Sequence, residues 1–462
     1  MNGYRSRTKT IATHVAEFVS RITIADVPFQ VRETAKLHLI DGVATMIAGS
    51  DDGASRAIRR YIRGLSGKSE ATVIGTKKKF AAHHAALANG VQGHVLDYDD
   101  AQLATLASRP FGQQAHPTTP VLASALAVAE KIRCTGAHFL TAYLAGVEVA
   151  CRLGDAVGPS HYLEGFHPTG TCGTFGAAAA CAHLLGLDTQ HSRWAMGIAG
   201  TLAAGVRANR GTMAKSLNAG RAAENGVVAA TLARQGFTAS ENIFEDAMGY
   251  FSAACRNQYD RKLLVFGKPF FFVKPGIAIK LYPCAVVMHP LLDLLLGLAR
   301  RHDIRADAVD RVQVTMPSPS ALPLVYERPK NSLQAKFSLP FAVAIALADR
   351  AAGLEQYTDV RLKDRRIADL MQKTDLIVAK NRAGSTTAVR ITLKDGTTYH
   401  DRTAKTHSGS AHSRSEIEEK FRQCARNKPT PGTVQRLLDC LWSIEQLKSV
   451  TGITRLLRAT RG

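Results

Sequence analysis

GFHPTGTCGTFGAAAACAHLLGL, Gly165 to Leu187, places one histidine, His167, directly before a run of small residues. Gly170, Gly173 and Gly176 recur at every third position, and the segment then runs as an unbroken apolar helix pattern to Gly186. The pattern predicts a helix with a polar side chain presented at its entrance. Thr169, Thr171 and Thr174 are expected to cap that entrance through their hydroxyls, and the glycines allow backbone or ligand to come close. A helix entrance offers unpaired N–H groups and partial positive charge, which suit a carboxylate. The same small residues equally suit close helix packing alone, and this stretch by itself does not choose.

Working outward, apolar residues recur at helical spacing over 11–22, where Ile11, Val15, Phe18, Val19 and Ile22 share a face, and again from Val31 to Ile47. A short apolar stretch, Ala71 to Gly75, precedes a helix from Ala81 that leads into NGVQGHVLDYDD, where Asp97, Asp99 and Asp100 crowd together. Helical patterns resume at Pro120 to Glu130, at Ala137 to Leu153 and from Ser192 to Gly236, the last containing Lys215. The texture changes after Lys268. Val309 to Met316 alternates as a strand, as do Thr387, Val389, Ile391 and Leu393 ahead of an Asp395-Gly396 hairpin turn, and Phe337 to Arg350 between them reads as a helix. SEIEEKFRQCA and TVQRLLDCLWSIEQL then return to amphipathic helices expected to pack on the first domain. The expected fold is mainly α: a large all-helical domain from 1–267 plus 404–462, and a second, smaller α+β domain at 268–403.

The chain has 462 residues, 45% hydrophobic but only 6% aromatic, which suits closely packed helices more than an aromatic-rich sandwich. Its 59 Lys and Arg against 38 acidic residues give a formal charge of +21 and point to an anionic partner. The basic residues are dispersed, with no concentrated tract and no aromatic-interleaved motif, so a small acidic molecule is expected and nucleic acid is not. No stretch reaches the roughly 18 apolar residues of a membrane span, and no secretory leader pattern is visible, so a cytoplasmic protein with no membrane partner is expected. The eight cysteines show no C-x-x-C or paired metal spacing and are expected as reduced, mostly buried thiols.

No dinucleotide fingerprint, Walker loop, H-E-x-x-H or G-x-S-x-G occurs. The first domain instead offers His94, Asp97, Asp99, Asp100, His116, His167 and Lys215 at helix ends or Gly- and Pro-marked loops. Histidine can take or return a proton near neutral pH, and lysine can offset the charge of a carboxylate and of the enolate that forms beside it. Such a set fits proton abstraction next to a carboxylate; a metal held by Asp97, Asp99, Asp100 and His116 is the competing reading. In KLYPCAVVMHPLLD, Lys280 is placed as an anion contact at the start of a helix, and Cys284 reads as a buried thiol more than a nucleophile. Tyr326 follows in SPSALPLVYERP.

NGVQGHVLDYDD, AHPTTPVLASALAVAE, GFHPTGTCGTFGAAAACAHLLGLD, KSLNAGRAAENGVVAATLARQGF, KLYPCAVVMHPLLD and QAKFSLPFAVAIAL, in this order over nearly the full length, resemble the MmgE/PrpD family. That family includes 2-methylcitrate dehydratase, cis-aconitate decarboxylase and iminodisuccinate epimerase. The resemblance implies a homodimer with the active site between domains, catalytic residues at Asp97, His116, His167 and Tyr326, and carboxylate-binding lysines at Lys215 and Lys280, without metal or organic cofactor. The decarboxylases carry a threonine where this chain has Ala101 and a histidine where it has Ala285, and the insertion ATLASRPFGQQ before His116 is expected to reshape the pocket. The expected activity is therefore a hydro-lyase on a small di- or tricarboxylate, with an epimerase or a decarboxylase as alternatives and a binding protein without activity as the non-enzyme one.

Overall fold

Ala- and Gly-rich helices can approach until their backbones touch, and the first domain is built on this. In the computed structural model, which describes residues 9–106, 115–157, 159–379, 386–403, 412–426 and 428–458, the helix Pro168–Leu184 is buried along its whole length apart from His183. Around it pack Thr118–Ile132, Gly136–Ala156 and Met213–Arg234. Gly146 and Gly176 face one another so closely that a Cβ on either would stand 2.6 Å from the other's carbonyl oxygen. Gly170, Gly173 and Gly176 therefore do serve close packing.

The capping expectation is corrected. His167 itself is the residue before the first helical turn, with no side-chain cap bond. Thr171 and Thr174 lie inside the helix, where their hydroxyls donate back to the carbonyls of His167 (3.4 Å) and Gly170 (2.7 Å), the usual behaviour of a hydroxyl in a helix interior.

Helices Ile11–Arg21, Phe29–Gly49 and Ala82–His94 complete the N-terminal part of this core. Two-residue strand pairs interrupt the helical texture: Ala71–Thr72 with Lys79–Phe80, and Ala101–Gln102 with Ile277–Ala278. Phe270, Phe271 and Phe272 pack into the first core, and from Cys284 onward the chain fills a second one.

The second core is a four-stranded sheet covered by helices His289–Arg301 and Leu339–Asp349. Val309–Pro317 buries Val309, Val312, Val314 and Met316, and pairs antiparallel with Thr387–Leu393 so that Val314 faces Val389. Thr387–Leu393 continues through the hairpin at Asp395-Gly396, where Gly396 takes φ 87°, into Thr398–Thr403. On its other edge Val309–Pro317 runs parallel to Thr374–Ala379, a strand without alternation that periodicity does not reveal. Arg414–Cys424 then packs on Phe29–Gly49, and Pro431–Trp442 and Thr451–Arg458 join the first core. The mainly helical two-domain class read from the sequence is the one observed. Among the described residues no helix is long and apolar enough to cross a membrane. All eight cysteines are free; six are buried and Cys134 and Cys440 are half-buried.

Candidate active site

The helix Ala82–His94 delivers a histidine and then a tight turn. Asp97 there adopts φ 52°, a left-handed conformation that a short polar side chain tolerates. The turn sends the three neighbouring carboxylates in different directions, so they do not converge on one ion. Asp99 accepts from His94 Nδ1 (2.9 Å) and Thr119 Oγ1 (2.7 Å). Asp100 accepts from His38 Nδ1 (2.9 Å) and Thr118 Oγ1 (2.6 Å). Only Asp97 lines the cavity between the two cores.

Two lysines meet on Asp97. Lys215, from the first turn of Met213–Arg234, donates to Oδ1 at 2.6 Å; Lys280 donates to Oδ2 at 3.1 Å and to the Asp97 carbonyl at 2.9 Å. Lys280 does not begin a helix as expected: it follows the short pairing at Ile277–Ala278, and the helix starts only at His289. Burial acts to raise the Asp97 carboxyl, but the two ammonium groups overcome it and hold the group well below its usual range.

Three imidazoles surround this clamp. His94 spends Nδ1 on Asp99 and presents Nε2 to the Lys215 ammonium at 3.0 Å, and burial brings its value down to about 4. It is therefore a neutral ring with a fixed tautomer. His116 stacks edge-on against it at 4.6 Å, with Nδ1 3.4 Å from Asp99 and Nε2 3.9 Å from Asp97. Its backbone N–H donates to Thr169 Oγ1 at 3.0 Å, which ties the two loops together. His167 lies 5.6 Å from His94, ring to ring, and its N–H donates to the Gly205 carbonyl at 3.0 Å. Burial, then the Lys215 charge, holds the His167 ring well below the ordinary imidazole value, and its Nδ1 has no hydrogen-bond partner among the described residues. A neutral, buried imidazole with an unengaged nitrogen is equipped to accept a proton.

Five of the six residues singled out from the sequence, Asp97, His116, His167, Lys215 and Lys280, share this cavity. Tyr326 does not line it; its hydroxyl donates to the Arg210 carbonyl at 2.6 Å, and its ring fills the space a Cβ on Gly211 would take. Ala101 and Ala285 both stand on the cavity wall. The insertion before His116 falls largely on residues 107–114, outside those described. His94, Asp99 and His116 bring three ligand atoms within 4.8 Å of one another. The His94 and Asp99 atoms are engaged with each other, however, and an ammonium occupies the other His94 nitrogen, a donor set suited to moving protons more than to holding a cation.

Sequence reasoning missed three contributors. Arg207 and Arg210 line the cavity from the segment between two helices. Lys420, from Arg414–Cys424 and 3% exposed, donates to the carbonyls of Tyr98 (3.0 Å) and Lys280 (2.7 Å) and pairs with Asp41 at 2.5 Å. One buried ammonium thus joins the two backbone segments that carry Asp97 and Lys280. The only signal for the arginines was their spacing in VRANRG just before Lys215; for Lys420 there was none. Cys284 is buried, and burial pushes its thiol up to about 12, as a structural cysteine requires.

The MmgE/PrpD N-terminal domain matches residues 13–262 and the MmgE/PrpD C-terminal domain residues 282–446. Cis-aconitate decarboxylase of Homo sapiens is 25% identical over 97% of this chain and 95% of its own length. Cis-aconitate decarboxylase of Aspergillus terreus is 25% identical over 97% and 96%. With both halves matched in order and the helical and α+β cores where such an arrangement needs them, the chain belongs to the MmgE/PrpD family.

Proposed function

We propose that this enzyme is a lyase acting on a small polycarboxylate, and that it abstracts the proton next to a carboxylate and expels water, as a 2-methylcitrate dehydratase-like hydro-lyase does. The observation that carries this is the neutral His167, with its unengaged Nδ1, set beside two lysines that hydrogen bonds to Asp97 hold in place. His167 takes the proton from the carbon. The electron pair moves onto the adjacent carboxylate, where Lys215 and Lys280 stabilise the added charge. As the pair returns, the C–O bond on the neighbouring carbon breaks, and a proton delivered from His116 completes the departing water. Tyr326 acts through Arg210, whose backbone it holds.

Decarboxylation is the second reading, favoured by the names of the similar proteins. It also passes through a carbanion, formed by loss of carbon dioxide instead of a proton. The two alanines at which the family resemblance departs from the decarboxylases weigh against it: Ala101 and Ala285 both stand on the cavity wall. An epimerase would return the proton to the opposite face. The reading calls on no metal or organic cofactor, and includes a cytoplasmic homodimer, which light scattering of the purified protein tests. Incubation with a panel of polycarboxylates in deuterated water, followed by mass spectrometry, separates the reactions. Loss of water is expected; loss of carbon dioxide would install the second reading, exchange without net change the epimerase, and neither exchange nor product would overturn the proposal.

A further inference from the structure

The cavity wall carries Arg207, Arg210, Lys215 and Lys280 against one carboxylate, Asp97, an excess of three positive charges (four minus one). Asp99 lies behind the wall, engaged with His94 and Thr119. Both lysines share the one Asp97, so one of these charges stays with that pair and the other two sit on the arginines, which have no carboxylate partner among the described residues. Their contacts are neutral. Arg207 stacks on the Tyr162 ring at 3.4 Å and donates to the Tyr162 carbonyl, leaving Nε buried and without a partner. Arg210 donates to the carbonyls of Leu322 (3.3 Å) and Pro323 (3.1 Å) and lies 5.8 Å over Phe337. Burial holds the Arg207 guanidinium below its ordinary value, with Tyr162 opposing and Arg210 adding to the shift.

The backbone registers this pair against the reacting groups. Phe166 and Val206 form a bridge, the Arg207 N–H donates to Gly165 (2.8 Å), and the His167 N–H donates to Gly205 (3.0 Å). Arg207 and His167 are therefore set by one short ladder. A planar, pre-stacked guanidinium with free N–H edges is a carboxylate receptor, and two on one wall without a counter-ion require an anion from the ligand.

We infer that Arg207 and Arg210 form a subsite for a carboxylate remote from the reacting carbon, which makes the preferred substrate a tricarboxylate rather than a dicarboxylate. The inference rests on the lyase reading above, since it assigns the lysines to the carboxylate at the reacting carbon.

The test uses two inert probes, tricarballylate with three carboxylates and glutarate with two, titrated calorimetrically into the full-length protein. Wild type should bind tricarballylate roughly tenfold or more tighter than glutarate. Arg207→Gln and Arg210→Gln should each weaken tricarballylate by about tenfold and glutarate by less than about threefold, with Arg207→Lys between. Lys280→Met should weaken both probes. Thermal midpoints and circular dichroism certify that each variant is folded, and Arg210→Lys keeps the charge if Arg210→Gln is not. Equal weakening of both probes by the arginine variants, or no weakening, overturns the subsite. If the wild type turns over a dicarboxylate in preference to every tricarboxylate offered, the subsite falls while the lyase reading stands; if wild type binds neither probe, both fall.

Discussion

Asp97 and Asp100 stand three residues apart on one turn, both buried, and are treated in opposite ways. Asp100 is closed off: His38, the Thr118 hydroxyl and the Thr118 N–H (3.3 Å) take both of its oxygens, and Thr118 continues to Tyr143 at 2.8 Å. Asp97 is met by two full positive charges and borders a cavity, and the groups around it are left incomplete. His167 Nδ1 lacks a hydrogen-bond partner among the described residues, and Asp99 Oδ1 and His116 Nδ1 face only each other, at 3.4 Å. A buried polar atom without a partner is costly, and folded chains avoid it where nothing is gained. On the lyase reading proposed above, the Asp97 side does the chemistry and the Asp100 side supports it.

The comparison breaks most visibly at His167. His167→Asn should lower kcat by roughly 10²- to 10⁴-fold, the usual worth of a general base, with the unfolding free energy within about 1 kcal/mol of wild type. A folded variant with wild-type turnover would remove the distinction between the two sides. On the support side, Lys420→Met should cost about 3–5 kcal/mol in a urea titration at pH 7, because Asp41 is left buried without its cation. Burial, against the pull of Lys420, already raises Asp41 to about 6, so at pH 5 the carboxyl is protonated in the folded state and the loss should shrink. A loss independent of pH would argue that the carbonyls of Tyr98 and Lys280, not Asp41, are what Lys420 serves.

Acidification sharpens the contrast further. His94 is held neutral when folded, with a value near 4 against an ordinary 6.5, so the unfolded chain binds that proton first. Its contribution to stability is intact above pH 6.5 and lost as the pH falls towards 4, by on the order of 3 kcal/mol. His94→Gln should flatten that part of the stability profile. The depressed His167 value likewise predicts an acid limb of kcat/KM below pH 6.5, not at it. The smallest effect is expected at Tyr326. Tyr326→Phe removes one hydrogen bond to the Arg210 carbonyl, worth about 1 kcal/mol, and should raise KM a few-fold with kcat spared; a thousandfold loss in kcat would make the hydroxyl a proton donor.

How much of this was legible follows from where each signal is stored. Helices such as Phe29–Gly49 and the strand Val309–Pro317 are written in local periodicity, and the motifs around Asp97, His116, His167, Lys215 and Lys280 carried five cavity residues, one each. Thr374–Ala379 was not legible because it lies at the sheet edge with Leu376, Ile377 and Val378 exposed, so no alternation marks a buried face. The threonine caps were misread because Thr169 is engaged by the His116 N–H, a partner 53 residues away. Arg207 and Arg210 stand in a segment without periodicity, and what aims them, Tyr162 and the 322–323 carbonyls, is distant in the chain.

Lys420 carries a consequence for how the molecule is made. Every residue proposed to touch substrate has left the ribosome by Lys280, yet the ammonium that ties the Lys280 backbone to that of Tyr98 is 140 residues further on. Folding of the first domain is thus a closure over long sequence separation, slow by nature, and it waits for the second domain to be threaded through. A nascent chain ending before residue 420 holds the proposed set of reacting groups without the ammonium that ties their backbones together.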